Sequence, residues 1–191
     1  LHQPAGALSE CYLELHLRRL DLRAGSQQIR WGRADGFNPT DNLVPYDYLD
    51  TFADQRLPVT AVKADMYVAK ARFEAAWIPF FTPTRLPLLS QRWFPGAPAA
   101  AGIDFREGTR IFPARTFGNG QWAVRWNQIV PRAEFSFSFF DGFDDLPYFS
   151  PGGLQPREPV APGPMAQVPL DRRYYRMRIA GADFAAELGP F

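Results

Sequence analysis

Between Gln121 and Phe139 the chain alternates polar and apolar residues with a period of two, and nothing else constrains its fold as much. Trp122, Val124 and Trp126 point to one side; Gln121, Ala123, Arg125 and Asn127 point to the other. After Pro131-Arg132 the pattern resumes, with Phe135, Phe137 and Phe139 on one face and Glu134, Ser136 and Ser138 on the opposite one. A two-residue turn there sets Trp126 across from Phe137 and Val124 across from Phe139. Arg125 then meets Ser138, and Asn127 meets Ser136. Register and polarity agree, so the segment is an antiparallel hairpin with an aromatic face and a wet face. Which face turns inward decides the function.

The same period recurs along the chain. Cys11, Leu13, Leu15 and Leu17 oppose Tyr12, Glu14 and His16; after Arg18-Arg19, Leu20, Leu22 and Ala24 oppose Asp21 and Arg23, with a bulge expected near Gly25-Ser26. Val62, Ala64, Met66 and Val68 oppose Lys63 and Asp65, and Phe73, Ala75 and Trp77 oppose Arg72 and Glu74. A turn at Val68-Ala69 would pair Asp65 with Arg72 and Lys63 with Glu74. In the last alternating stretch Tyr175, Met177 and Ile179 oppose Tyr174, Arg176 and Arg178. The expected strands are thus about 10–17, 20–31, 58–68, 71–80, 121–130, 133–143 and 173–188.

The connections are sharply unequal. Breaks after the first, third and fifth strands are tiny, whereas 32–57, 81–118 and 144–171 are long and studded with Pro, Gly, Asp and Asn. Antiparallel neighbours alternate ends, so short turns collect at one rim and long loops at the other. Up-and-down transmembrane β-barrels have this layout, with spans of only about 9–11 residues. Trp31, Trp77, Phe80, Phe81, Trp122, Phe143, Tyr174 and Tyr175 all sit where strands meet long loops, where an interfacial aromatic girdle belongs. The fold expected is therefore an all-β, antiparallel, partial transmembrane barrel forming a single incomplete domain over 1–191. Its wet lumen is lined by Glu14, His16, Arg23, Lys63, Asp65, Arg72, Glu74, Arg125, Asn127, Glu134, Arg176 and Arg178. The competing fold is a soluble β-sandwich or lipocalin-like barrel with the aromatic face as its core.

Composition narrows the alternatives. A net charge of +1 with interspersed acids argues against a nucleic-acid partner. No apolar run reaches the roughly 18 residues of a membrane helix, and the single Cys11 excludes an internal disulfide framework. The chain opens Leu1-His-Gln-Pro without the features of a signal peptide and stops at Gly189-Pro190-Phe191, so truncation at both ends is expected.

Gln27-Gln28-Ile29-Arg30-Trp31-Gly32 followed by Asn38-Pro39-Thr40-Asp41-Asn42-Leu43 resembles a segment of uncharacterised Gram-negative outer-membrane β-barrel proteins. There a G-x-Q-x-x-x-W-G strand end, matched by Gly25, Gln27, Trp31 and Gly32, runs into an N-P-T-D-N-L loop. Trp77–Pro87 and Arg176–Phe184 are similar as well. The resemblance implies an outer-membrane location, membrane lipid as partner and passage of a solute; it names no solute and no oligomeric state, and its motifs carry no chemistry.

Candidate chemistry is sparse. A nucleophile–base pair needs His, and only His2 and His16 exist. His16 beside Glu14 is the base-like pair of a barrel hydrolase, weighed against a plain lumen residue. Cys11 has no basic neighbour on its face to activate it. Asp35, Asp41, Asn42, Asp47, Asp50 and Asp54 offer oxygens for Ca²⁺ without EF-hand spacing. The reading is no catalytic, cofactor or metal residue. Arg72, Arg125, Arg176 and Arg178 suggest anion preference, set against a balanced network with the neighbouring acids.

Overall fold

A computed structural model describes residues 10–32, 40–49, 56–89, 103–153, 155–156, 166–187 and 189. Among these residues eleven strands follow in chain order: β1 (Cys11–Leu17), β2 (Leu20–Gln27), β3 (Val59–Val68), β4 (Ala71–Ile78), β5 (Ile103–Ile111), β6 (Gln121–Val130), β7 (Ala133–Phe143), β8 (Tyr148–Pro151), β9 (Gln155–Pro156), β10 (Ala166–Arg173) and β11 (Arg176–Ala186). Among the described residues the only helix is a three-residue 3₁₀ turn, Phe117–Asn119. Seven strands form one antiparallel sheet in the order β1-β2-β3-β4-β6-β7-β11, and β5, β8, β9 and β10 form a second, smaller sheet. The protein is all-β. Its main sheet is open among the described residues, with β1 and β11 at the edges.

The β6–β7 hairpin has the register its alternation dictates: Trp126 faces Phe137, Val124 faces Phe139, Arg125 faces Ser138 and Asn127 faces Ser136. The β3–β4 hairpin is shifted by two residues from the expected ion-pair register. Its turn falls on Ala69-Lys70, with Ala69 in the left-handed region at φ 52°, and Asp65 lies directly across from Glu74. Strand β2 ends at Gln27 rather than Trp31. It pairs without a register break through Gly25, whose φ of 139° and whose approach to the Cys11 carbonyl leave no room for a side chain.

Short turns and long connections separate to opposite rims. At the short-turn end neighbouring hairpins are stitched by Tyr67 N–H to Arg19 O, Ile129 N–H to Lys70 O and Glu187 N–H to Arg132 O. At the other end the connections bond to one another, with Arg85 N–H donating to Tyr46 O, Thr84 N–H to Asp145 O and Tyr48 N–H to Arg85 O. The segments 81–118 and 144–171 are not plain loops. They contribute the second sheet, in which β5 and β10 pair in parallel. Strand β5 carries Ile103, Phe105 and Ile111 among charged and Gly residues, and β10 follows a Pro-rich run, so neither shows a clean period of two.

The core is small and lies on the polar side of the main sheet. Ile29, Trp31, Leu43 and Val44 fold inward from the connection between β2 and β3 and pack on Val59, Ala61, Ala76, Ile78, Ala123 and Phe140, with Met177 and Ile179 against them. Thr40 reaches the far strand, so close to Gly181 of β11 that a β-carbon there would meet its methyl group at 3.0 Å. This inward segment fills the long-loop end of the concavity.

Candidate functional site: a buried polar face

Away from the apolar cluster at the long-loop end, the main sheet buries its charged face and exposes its aromatic one. On the outward face Leu13 is 83% exposed, Phe137 54% and Trp126 37%. On the inward face Lys63, Asp65, Glu74 and Ser136 are all buried. The outward rings pack on one another: Phe73 stacks on Trp126 at 6.4 Å, Trp126 on Phe137 at 5.9 Å, and Trp122 tilts against Phe139 at 5.2 Å.

The inward face is a chain of ion pairs running across the strands. On β1 and β2, Arg23 Nη2 donates to Glu14 at 2.7 Å, and His16 Nδ1 lies 2.9 Å from Asp21. On β3 and β4 the like charges Asp65 and Glu74 stand opposite each other. Two cations hold them: Lys63 Nζ is 2.8 Å from Asp65 and 3.2 Å from Glu74, and Arg72 Nη2 is 2.9 Å and 3.4 Å from the same carboxylates. The pairs anticipated at directly opposing positions therefore form on the diagonal, because long Lys and Arg side chains span the extra step. Further along, Arg125 pairs with Asp183 at 2.9 Å across the intervening β7, where Ser136 donates to the same carboxylate. Asn127 Nδ2 donates to Glu134 at 2.7 Å.

The inward segment is tied to this network. Trp31 Nε1 donates to Glu74 at 3.2 Å, its backbone N–H donates to Asp41, and Asp41 pairs with Arg56 at 2.7 Å. Burial pushes the Asp41 carboxyl above the ordinary range, with Arg56 opposing the shift. In the loop scaffold burial likewise raises Asp145, partly offset by the bond from the Thr84 hydroxyl.

Three expected positions change. Trp31 is not in the outward girdle but 2% exposed in the core, because the chain leaves the sheet after Gln27 and turns inward. Arg176 and Arg178 are not on the inward face: pairing with β7 sets Ile179 opposite the buried Phe140 and Arg178 opposite Asp141, which shares its face with Trp122. Both arginines bond Asp141, Arg178 Nε at 2.9 Å. The other residues expected in the girdle gather at the long-loop end, with Trp77 opposite Trp122 and stacked on Phe117, Phe80 against Phe117, and Phe81 between Phe143 and Tyr174.

Of the inward partners, Asp21 and Ser136 fall on the face the alternation marks as polar, though neither is among the expected lining residues, and Asp183 has no such signal. Asp183 was hidden because β11 alternates Met, Ile, Gly, Asp and Ala with Arg, Arg, Ala, Ala, Phe and Ala, which gives little polarity contrast. The Asp183-Phe184 step is the one signal of its phase. Of the oxygens considered for Ca²⁺, Asp41 is engaged by Trp31 and Arg56, and Asp47 lies 2.9 Å from Arg85. Asp35, Asp50 and Asp54 lie outside the described residues, as does His2. Among the described residues no group of three or more His, Cys, Asp or Glu could hold a metal. His16 is 68% exposed between two carboxylates, with no serine or cysteine bonded to it among the described residues, and Cys11 is exposed on the outward face with the leucines of β1.

None of the curated proteins and none of the solved structures matches the chain. The model of the family described as "Protein of unknown function (DUF1302)" matches residues 6–190, and the chain belongs to that family.

Proposed function

We propose that this chain is a wall segment of a Gram-negative outer-membrane β-barrel that lets a solute pass, with the tryptophan and phenylalanine face against lipid and the ion-paired face toward a lumen. The observation that carries this is the inverted polarity. About a dozen large apolar side chains, each roughly half exposed, amount to on the order of 1,000 Å². Single contiguous apolar patches on soluble monomers are typically only a few hundred Å². Placed against acyl chains, that area is worth about 25 kcal/mol; left in water it drives aggregation. The buried Lys63–Asp65–Arg72–Glu74 group is what a lumen wall accommodates, because each charge keeps a partner.

Strands β6 and β7, of 10 and 11 residues, match a tilted span. Closure in lipid requires further strands on the edges of β1 and β11, from a longer chain or a second copy, since an unpaired edge costs several kcal/mol per group. The inward positions of the seven strands carry six carboxylates (Glu14, Asp21, Asp65, Glu74, Glu134, Asp183) against four fixed cations (Arg23, Lys63, Arg72, Arg125). With Arg176 and Arg178 outside, the lining favours cationic or neutral solutes over anions. The inward segment at Trp31 and Leu43 narrows the path at the long-loop end, in the manner of barrels plugged by loops.

The alternative is a soluble carrier, favoured by a shallow apolar groove of about 540 Å³ between Leu20, Met66, Phe73, Val124, Trp126 and Phe137. Fractionation separates the two. The barrel reading expects extraction only with detergent, faster gel migration when unheated, and cation-selective conductance after reconstitution. A protein that is monodisperse in buffer without detergent overturns it and supports the carrier.

A further inference from the structure

One charged feature on the outward face is absorbed by neither the lumen nor the core. Reading across the sheet at one level, Arg178 on β11 faces Asp141 on β7, Asp141 faces Trp122 on β6, and Trp122 faces Trp77 on β4. Two tryptophans side by side mark the zone in which a membrane protein meets headgroups, and Arg178 shares their pairing row toward the long-loop end of the outward face.

Arg176 lies one step nearer the long loops, opposite Phe143, with its guanidinium 5.5 Å from that ring and its Nη2 bonded to Gly120 O at 3.2 Å. Asp141 is buried and shared by the two arginines, one to each oxygen. It orients both guanidinium groups and neutralises only one. Arg178 remains 74% exposed, and among the described residues only its Nε has a protein acceptor. The trio thus offers a net single positive charge and a fork of donors with the planar geometry that suits a phosphate.

We propose that Arg178 and Arg176, held by Asp141 on the rung of Trp122 and Trp77, form a binding site for the phosphate of an anionic membrane-lipid headgroup. The site rests on the reading that the outward face meets lipid. Asp141 serves as a positioning residue; the arginines make the contact.

The test uses the whole chain reconstituted in phosphatidylcholine vesicles with and without phosphatidylglycerol, followed by lipid retention in native mass spectrometry. Phosphatidylglycerol should be retained about fivefold over phosphatidylcholine, the effect of one net charge at a membrane surface. R176Q/R178Q should abolish that preference, and R178Q alone, at a mostly exposed position, should halve it or more without disturbing the fold. D141N should raise the preference, the opposite sign to the arginine variants. Equal retention of both lipids by an inserted wild-type chain overturns the site while leaving the barrel reading intact. A chain that enters neither vesicle overturns both. Displacement of phosphatidylglycerol by millimolar inorganic phosphate overturns the lipid assignment in favour of a free-phosphate site.

Discussion

Replacing Phe137 by arginine separates the membrane and soluble readings by energy alone. Phe137 is fifth of the 11 residues of β7, opposite Trp126 and Ala182, so in a tilted span it lies near the bilayer midplane. It is 54% exposed. For a side chain of roughly 200 Å² that leaves about 110 Å², which against acyl chains would be worth about 2.7 kcal/mol at 25 cal/mol per Å². An arginine near the midplane of a barrel's lipid face costs about 2–4 kcal/mol, close to the same figure. At a water-exposed position the same change costs about 0.5 kcal/mol or less, plus about 0.5–1.5 kcal/mol for the lost stacking on Trp126. Denaturant titration of vesicle-embedded protein, followed by tryptophan fluorescence, should therefore show a loss of about 3 kcal/mol for Phe137→Arg and less than about 1 kcal/mol for Phe137→Leu. Equal stabilities of the two variants in lipid would refute the orientation.

Three further outcomes follow from the inward face and the backbone. Lys63→Met leaves Asp65 and Glu74 opposed with Arg72 alone, and should cost about 3–5 kcal/mol in the same titration; adding Glu74→Gln should recover part of it. Asp41 and Asp145 have folded-state carboxyls raised by burial, so their contribution is greatest below the ordinary carboxylate range and is lost as pH rises through the folded value. The amides of Thr84 and Arg85, corrected for intrinsic exchange, should be better protected within the ordinary carboxylate range, about pH 4, than well above it, and Asp41→Asn with Asp145→Asn should flatten the difference; weaker protection at the acidic end would contradict the burial argument. Gly25→Ala meets both a φ of 139° and a carbonyl 2.4 Å from the new carbon, and should cost about 1–3 kcal/mol, measured by thermal unfolding against Gly153→Ala in open space.

The strands of the main sheet were legible wherever neighbouring residues differ strongly in polarity. In β6 and β7 every second residue is Trp, Val or Phe, so a slip of one would bury the wrong set, and even the register followed. In β3 and β4 both faces were right, but the register depended on two ion pairs that form equally well on the diagonal. In β11 the phase was lost, because Met177 and Ile179 look like lipid-facing residues and Arg176 and Arg178 like lumen ones; only pairing with β7 decides. The second sheet had no local signal, since β5 and β10 are brought together by segments far apart in sequence. Of the inward network, Lys63, Asp65, Arg72, Glu74 and Arg125 were legible from alternation. Trp31 was not, because the turn that sends it inward depends on Asp41 and Glu74, partners 10 and 43 residues away.

That inward turn has a consequence for assembly. Trp31 bonds Glu74 near the middle of the sheet and Asp41, and Thr40 beside Asp41 reaches Gly181 on the last strand, so these residues brace β4 against β11 from inside. The contacts hold β4 and β11, three places apart in the sheet order, together across the polar face. On the barrel reading, this brace bears on how far the gap between β1 and β11 has to be bridged.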